Sequence, residues 1–170
     1  MNFPEKDEYA GFYQSYLNNL KPIDFRIQFA EISDEITNFL SPIIEEKSIF
    51  RYLPEKWSIK EVVSHLIEVE RIFSYRALTF SRNDETEIPG FEENDYVRNG
   101  FADQIPFINL IEEYNAARKS TLLMLQNMPE EFLTRTGIAN KNKMSVSAVF
   151  HVIGGHQIHH FNIIRDRYFI

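Results

Sequence analysis

Residues 146–163, VSAVFHVIGGHQIHHFNI, decide how this chain folds. Along them Val146, Val149, Ile153, His156, His160 and Ile163 follow one another at alternating steps of three and four. That spacing is the buried stripe of an amphipathic helix. Two positions of the stripe carry histidine where an aliphatic residue is due. Their Cβ atoms, one turn apart, lie roughly 6 Å from each other, so both rings can reach one ion. A buried imidazole needs a partner for its nitrogens, and two neighbours in a dry interior cannot easily both become charged. A shared divalent cation meets both conditions, and the stripe therefore predicts a metal site.

The same rhythm recurs in three other segments. Phe25, Phe29, Ile32, Ile36 and Phe39 mark a helix from about Asp24 to Ser41, ahead of Pro42, which cannot comfortably continue it. Val62, Leu66, Val69, Phe73 and Phe80 mark the next, with Arg76 on the seam between the last two; Ser58 and Glu61 form a capping box at its start. Phe107, Leu110, Tyr114, Ala117, Thr121, Met124 and Met128 mark the third, before Pro129. No segment alternates with the period of a strand. The expected fold is all-α, one four-helix bundle domain over residues 1–170. Residues 1–23, with Tyr9, Phe12, Tyr13, Tyr16 and Leu17, are read as a short N-terminal extension packed on the outside. Residues 41–57 and 130–144 are read as irregular connections.

The connection from about Asn83 to Asp103 far exceeds the 2–8 residues usual between bundle neighbours. Extended, it spans about 65 Å, enough to return along a helix of about 37 Å. It can thus set the third helix parallel to the second, giving an up-down-down-up bundle. With the last helix antiparallel to the second, His65 comes close to the level of His156 and His160. His65 shares an inward shoulder with Val69 and Ile72. Three neutral imidazoles leave a coordination position open, as catalytic rather than structural metal sites do. Imidazole ligation suits zinc, nickel, iron or copper. His159 could replace His160 by an i, i+3 pairing but lies off the stripe. His151 points elsewhere, and both are read as surface or supporting groups. Gly154 and Gly155 each cost a helix roughly 1 kcal/mol against alanine, so they are expected to admit a neighbouring backbone or to clear space.

Eighteen basic against 25 acidic residues leave a net charge of −7, which argues against nucleic acid or an anionic membrane as partner. With no cysteine, a disulfide framework, a thiolate metal site and a cysteine nucleophile are excluded, and any thiol chemistry needs an external thiol. No signal peptide or membrane span is read, so the protein is expected to be soluble and cytoplasmic. The aromatic content of residues 9–17 leaves room for a homodimer interface.

Lys56-Trp57-Ser58-Ile59-Lys60-Glu61-Val62, His65-Leu66, Glu70-Arg71-Ile72-Phe73, Tyr75-Arg76-Ala77-Leu78, Pro89-Gly90-Phe91, Glu113-Tyr114 with Arg118, and Gly155-His156 with His159-His160 together resemble the DinB-like superfamily of metal-binding four-helix bundles. The resemblance implies the up-down-down-up bundle and a divalent metal held by His65, His156 and His160. Glu68 and Gln157 depart from residues common in relatives, which implies a difference in the groups that orient the ligands. Known members include transferases joining bacillithiol, mycothiol or a similar thiol to electrophiles. The expected function is thus a metal-dependent thiol S-transferase acting on small molecules in detoxification. A metal-binding module and a metal-dependent hydrolase, with Glu68 as base, are the alternatives. Arg76 is expected to attract an anionic substrate or to pair with a neighbouring acid. Glu92, Asn94 and Tyr96 are expected to line the mouth of the site, since long loops in compact domains are often functional.

Overall fold

The computed structural model describes residues 1–169. Its α-helices are α1 (Gln14–Leu17), α2 (Phe25–Leu40), α3 (Glu45–Ser48), α4 (Ile59–Ser81), α5 (Glu93–Asn99), α6 (Phe107–Gln126) and α7 (Val146–Arg167), with a hairpin of β1 (Thr136–Ala139) and β2 (Asn142–Ser145) before α7. Side-chain caps set where three long helices begin. Asp24 accepts from the Arg26 amide at 2.9 Å, and Ser145 from the Ala148 amide at 3.0 Å. Ser58 and Glu61 form the reciprocal capping box read from the sequence. None of these helices is long and apolar enough to cross a membrane.

Contacts between helix ends give the direction of each helix. Lys60, at the start of α4, donates to the Ile105 carbonyl at 2.6 Å and pairs with Glu45, which also accepts from the Phe107 amide at 2.7 Å. The N-termini of α4 and α6 therefore share one end. The Tyr168 hydroxyl, just past α7, donates to the Trp57 carbonyl just before α4 at 2.7 Å, so α7 runs against α4. Arg26, at the start of α2, reaches the Met128 carbonyl past the end of α6 at 3.2 Å, so α2 runs against α6. The order is up-down-down-up. The long connection leaves α4 at one end and returns to the other, where Asp103 accepts from Ser58 at 2.6 Å and pairs with Arg51 at 2.7 Å. It is only partly irregular, since it contains α5.

Residues 130–144 correct the expectation of an irregular segment. Thr136 to Ala139 pair antiparallel with Ser145 to Asn142 around Asn140 and Lys141, which have φ of 49° and 62°. Two left-handed residues in succession make a type I′ turn, whose twist suits a two-residue hairpin. A Cβ at Gly137 would run into the Phe80 ring, so β1 lies directly on α4. Ile88, from the long connection, donates to Ile138 (3.0 Å) and accepts from Asn140 (2.9 Å), fastening that connection to the hairpin.

Among the described residues, most buried apolar side chains fall into two clusters. One contains Phe25, Phe29, Phe73, Phe80 and Phe150, at the hairpin end. The other contains Ile36, Val62, Leu66, Tyr114 and Phe161. Between them lies a polar layer built from α4 (His65, Glu70), α6 (Arg118, Thr121) and α7 (His156, Gln157), all buried. Glu70 and Arg118, each 1% exposed, pair at 2.9 Å. Burial pushes the Glu70 carboxyl up while Arg118 draws it back.

Candidate metal centre

The antiparallel contact of α4 with α7 brings His65 level with His156 and His160. The ring centroids lie 5.0 Å (His65–His156), 4.9 Å (His65–His160) and 4.5 Å (His156–His160) apart, and the rings are inclined at 62–68° to one another. One ring nitrogen from each residue falls within 4.8 Å of the others, and the Nε2 atoms of His65 and His156 are 3.1 Å apart. Two nitrogens bound at about 2.1 Å to one ion stand roughly 3.0–3.4 Å apart, so this pair is already at a ligand spacing. The Nδ1 atoms of His65 and His156 are buried without a partner among the described residues. Among the described residues the His65 and His156 rings have no hydrogen-bond partner but each other, and the triad fits a shared ion.

Electrostatics favour the ligating form. Burial lowers the His65 pKa to about 4. Burial, then the neighbouring imidazoles, hold His156 and His160 well below the usual range. All three rings are therefore neutral near pH 7, which is the state that binds a metal.

Around the triad runs an aromatic wall that the sequence reading did not assign to the site. Trp57 stacks parallel to His160 (13°, 6.3 Å) and tilts over His65 at 4.9 Å. Tyr16 meets His156 edge-on at 5.2 Å. α1 can lie this close because Gly155 has no side chain: a Cβ there would overlap the Tyr16 carbonyl, and Asn19 donates to the Gly155 carbonyl at 3.3 Å. Gly154 faces Phe25 and Phe29. The paired glycines thus admit a backbone on one side and aromatic rings on the other. The triad opens into a cavity of about 360 Å³ whose far side is formed by Phe73, Arg76 and Phe91. Tyr13 and Tyr16 close it from the N-terminal extension, a role that the chain's tyrosine spacing alone did not reveal.

Several expected positions fall elsewhere. His151 is not at the surface: it is fully buried, stacked on Phe25 at 4.0 Å, with Nδ1 2.9 Å from the Ser147 carbonyl. His159 is half-buried on the cavity wall, edge-on to Tyr16 at 5.4 Å. Glu68 accepts from Ser64 at 3.3 Å and does not line the cavity. The Gln157 amide bonds to Tyr114 (3.0 Å) and Glu70 (3.3 Å), so neither departure from the family pattern touches the imidazoles. The long connection does contribute to the cavity, but through Gly90, Phe91 and Glu93 rather than Glu92, Asn94 and Tyr96. Glu92 instead caps α5, accepting from the Asn94 amide at 3.3 Å.

YfiT from Bacillus subtilis, described as a probable metal-dependent hydrolase with an unusual four-helix bundle topology, shares this fold, with a TM-score of 0.73. The match covers 97% of this chain and 91% of YfiT at 11% identity. No curated protein matches the sequence. The DinB superfamily pattern matches residues 28–164, from within α2 almost to the end of α7. With most of its length matched by that pattern, the chain belongs to the DinB superfamily.

Proposed function

We propose that this protein is a metal-dependent S-transferase that joins a low-molecular-weight thiol to an electrophile in the cytoplasm, with His65, His156 and His160 holding a divalent cation such as zinc or nickel. One observation carries this reading: three neutral imidazoles converge at the base of an aromatic-walled cavity in a chain without cysteine. A divalent cation bound there supplies Lewis acidity, which lowers the pKa of a donor atom beside it. The protein's own residues do the rest. Trp57, Tyr16 and Phe91 keep bulk water from the reacting atoms, strengthening every charge interaction inside. Burial, with the Glu93 carboxylate second, raises the Tyr16 phenol, which stays protonated as a donor at the cavity wall. In the reaction the thiol proton passes to solvent, a sulfur–carbon bond forms, and the leaving group departs with its bonding pair.

The test is thiol consumption by metal-loaded protein with bacillithiol and a haloalkane electrophile, beside a His65→Ala control. Turnover above the control supports the reading. Rates equal to the control, across several thiols and metals, reject it.

A second reading, hydrolysis, is favoured by Glu93, whose carboxylate lines the same cavity and can accept a proton from water. It accords with the description of YfiT. Ester or amide cleavage without added thiol, lost in Glu93→Gln, would replace the transferase reading.

A further inference from the structure

Arg76 is 2% exposed and borders the cavity, yet no carboxylate lies within 4 Å of it among the described residues. Burying a guanidinium without a counter-charge is costly, and such groups are ordinarily paired. The other arginine buried as deeply, Arg118, has Glu70 at 2.9 Å. Among the described residues Arg76 has a long hydrogen bond to the Pro89 carbonyl at 3.4 Å and the uncharged Tyr13 phenol beside it, and its Nε has no partner. Its guanidinium lies over the Phe73 ring at 4.5 Å, an arrangement that supports the group by its face and leaves the edge donors to bind.

Position along α4 relates this arginine to the triad. His65 and Arg76 are eleven residues apart (76 − 65), which places them within about 20° on one helix face and about 16 Å apart along the axis. Helical side chains lean toward the N-terminus, so the guanidinium leans toward the histidines. Val69 and Phe73 form the apolar floor between.

We propose that Arg76 is an anion-binding subsite that selects substrates with a carboxylate at the end remote from the reacting sulfur, separated from it by an apolar spacer. This rests on the proposed reaction for the sulfur end only. Arg76 supplies a planar fork of donors, the geometry that pairs two-point with a carboxylate. The Tyr13 phenol lies close enough to feel the Arg76 charge, and burial keeps it protonated as a further donor. Glu93, on the same cavity, is exposed and unpaired with Arg76, and it disfavours anions placed away from the fork.

The test compares ω-mercaptocarboxylic acids of increasing chain length with ω-mercaptoalcohols of equal length. Binding to cobalt-loaded protein is measured by calorimetry, and sulfur ligation by the charge-transfer absorption of cobalt. The wild-type protein is expected to bind the best acid at least about tenfold more tightly than its alcohol, the worth of one charge-assisted pair. That preference disappears in Arg76→Met, while the absorption band remains; Arg76→Lys, a point charge without the fork, keeps part of it. Equal binding of acid and alcohol by the wild-type protein overturns the subsite, whatever the variants do, and leaves the sulfur reading standing. An acid preference without the band upholds Arg76 and removes the sulfur reading.

Discussion

Helix α7 buries histidines in two places, and they differ in what their nitrogens meet. His151 lies flat on Phe25 with Nδ1 against the Ser147 carbonyl. His156, little more than one turn on, points with His160 toward His65 of another helix, its Nε2 3.1 Å from that of His65; among the described residues each of these two α7 rings also has one buried nitrogen without a partner, Nε2 in His151 and Nδ1 in His156. Burial lowers the pKa of both kinds. Desolvation therefore does not separate a packed imidazole from a ligand. Convergence does: rings from two elements bring one nitrogen each within 4.8 Å of the others, and His151 has no such neighbours among the described residues.

Breaking the triad should have the largest effect. Alanine at His65, His156 or His160 removes one of three ligands and should weaken metal binding by about 10²–10³-fold, taking about 3–4 kcal/mol as one ligand's share of the affinity of a four-ligand zinc site. His151→Phe should bind with wild-type stoichiometry. Elemental analysis with competitive chelator titration reads both; a triad variant retaining tight binding would erase the distinction.

Acid should act on both places alike once metal is removed. The folded pKa values of His65 and His151 are about 4, against 6.5 for a free imidazole. Between those values the unfolded chain takes up protons that the folded chain refuses, so stability is full above pH 6.5 and falls as the pH drops toward 4. Each ring accounts for about 3 kcal/mol at the bottom of that window. Urea unfolding of chelated protein at neutral and acid pH should show the loss, and His151→Phe should remove one share of it.

Chelation itself should separate them. A metal at a hundredfold excess over its Kd stabilises by about 2.7 kcal/mol, so chelator should lower the wild-type Tm by about 5–10 °C. His151→Phe should show the same drop and His160→Ala none.

The smallest effect concerns the glycines between the two places. In Gly155→Ala the new methyl meets the Tyr16 carbonyl; displacing α1 should cost about 1–3 kcal/mol in spite of better helix propensity. In Gly154→Ala the nearest atom is the Phe25 ring at 3.0 Å, and the loss should stay below about 1 kcal/mol. Calorimetric Tm values order the pair; equal losses would mean that α1 is not seated on Gly155.

Where the chemistry of a residue has one outlet, the sequence could be read. Proline, the capping box and the stripe of threes and fours placed the four long helices within a residue or two, and the length of the 83–103 connection led to the helix order. Two histidines on an apolar stripe could hardly be anything but inward. Other features depend on partners distant in sequence. The hairpin has Asn140-Lys141 at its turn rather than the Asn-Gly that usually signals one, and its strands are four residues each. Arg118 sits where a charge ordinarily faces water, and only Glu70, on another helix, makes its burial tolerable. Ala117 and Met124, read onto the α6 stripe, are only half-buried; Arg118 and Leu125 take the core side. Trp57 and Tyr16 reach the site from segments with no periodicity to reveal their direction.

The polar layer between the two apolar clusters also governs alignment. Leucine-like surfaces slide past one another at little cost, and a bundle held by them alone has several near-equivalent registers. Here a shift of one helix by a single turn would strand Arg118 or Glu70 in hydrocarbon and separate His65 from its neighbours, an error of several kcal/mol. The residues that make an ion site possible thereby act, with the buried ion pair beside them, as the key that lets three of the four rods lock in one alignment.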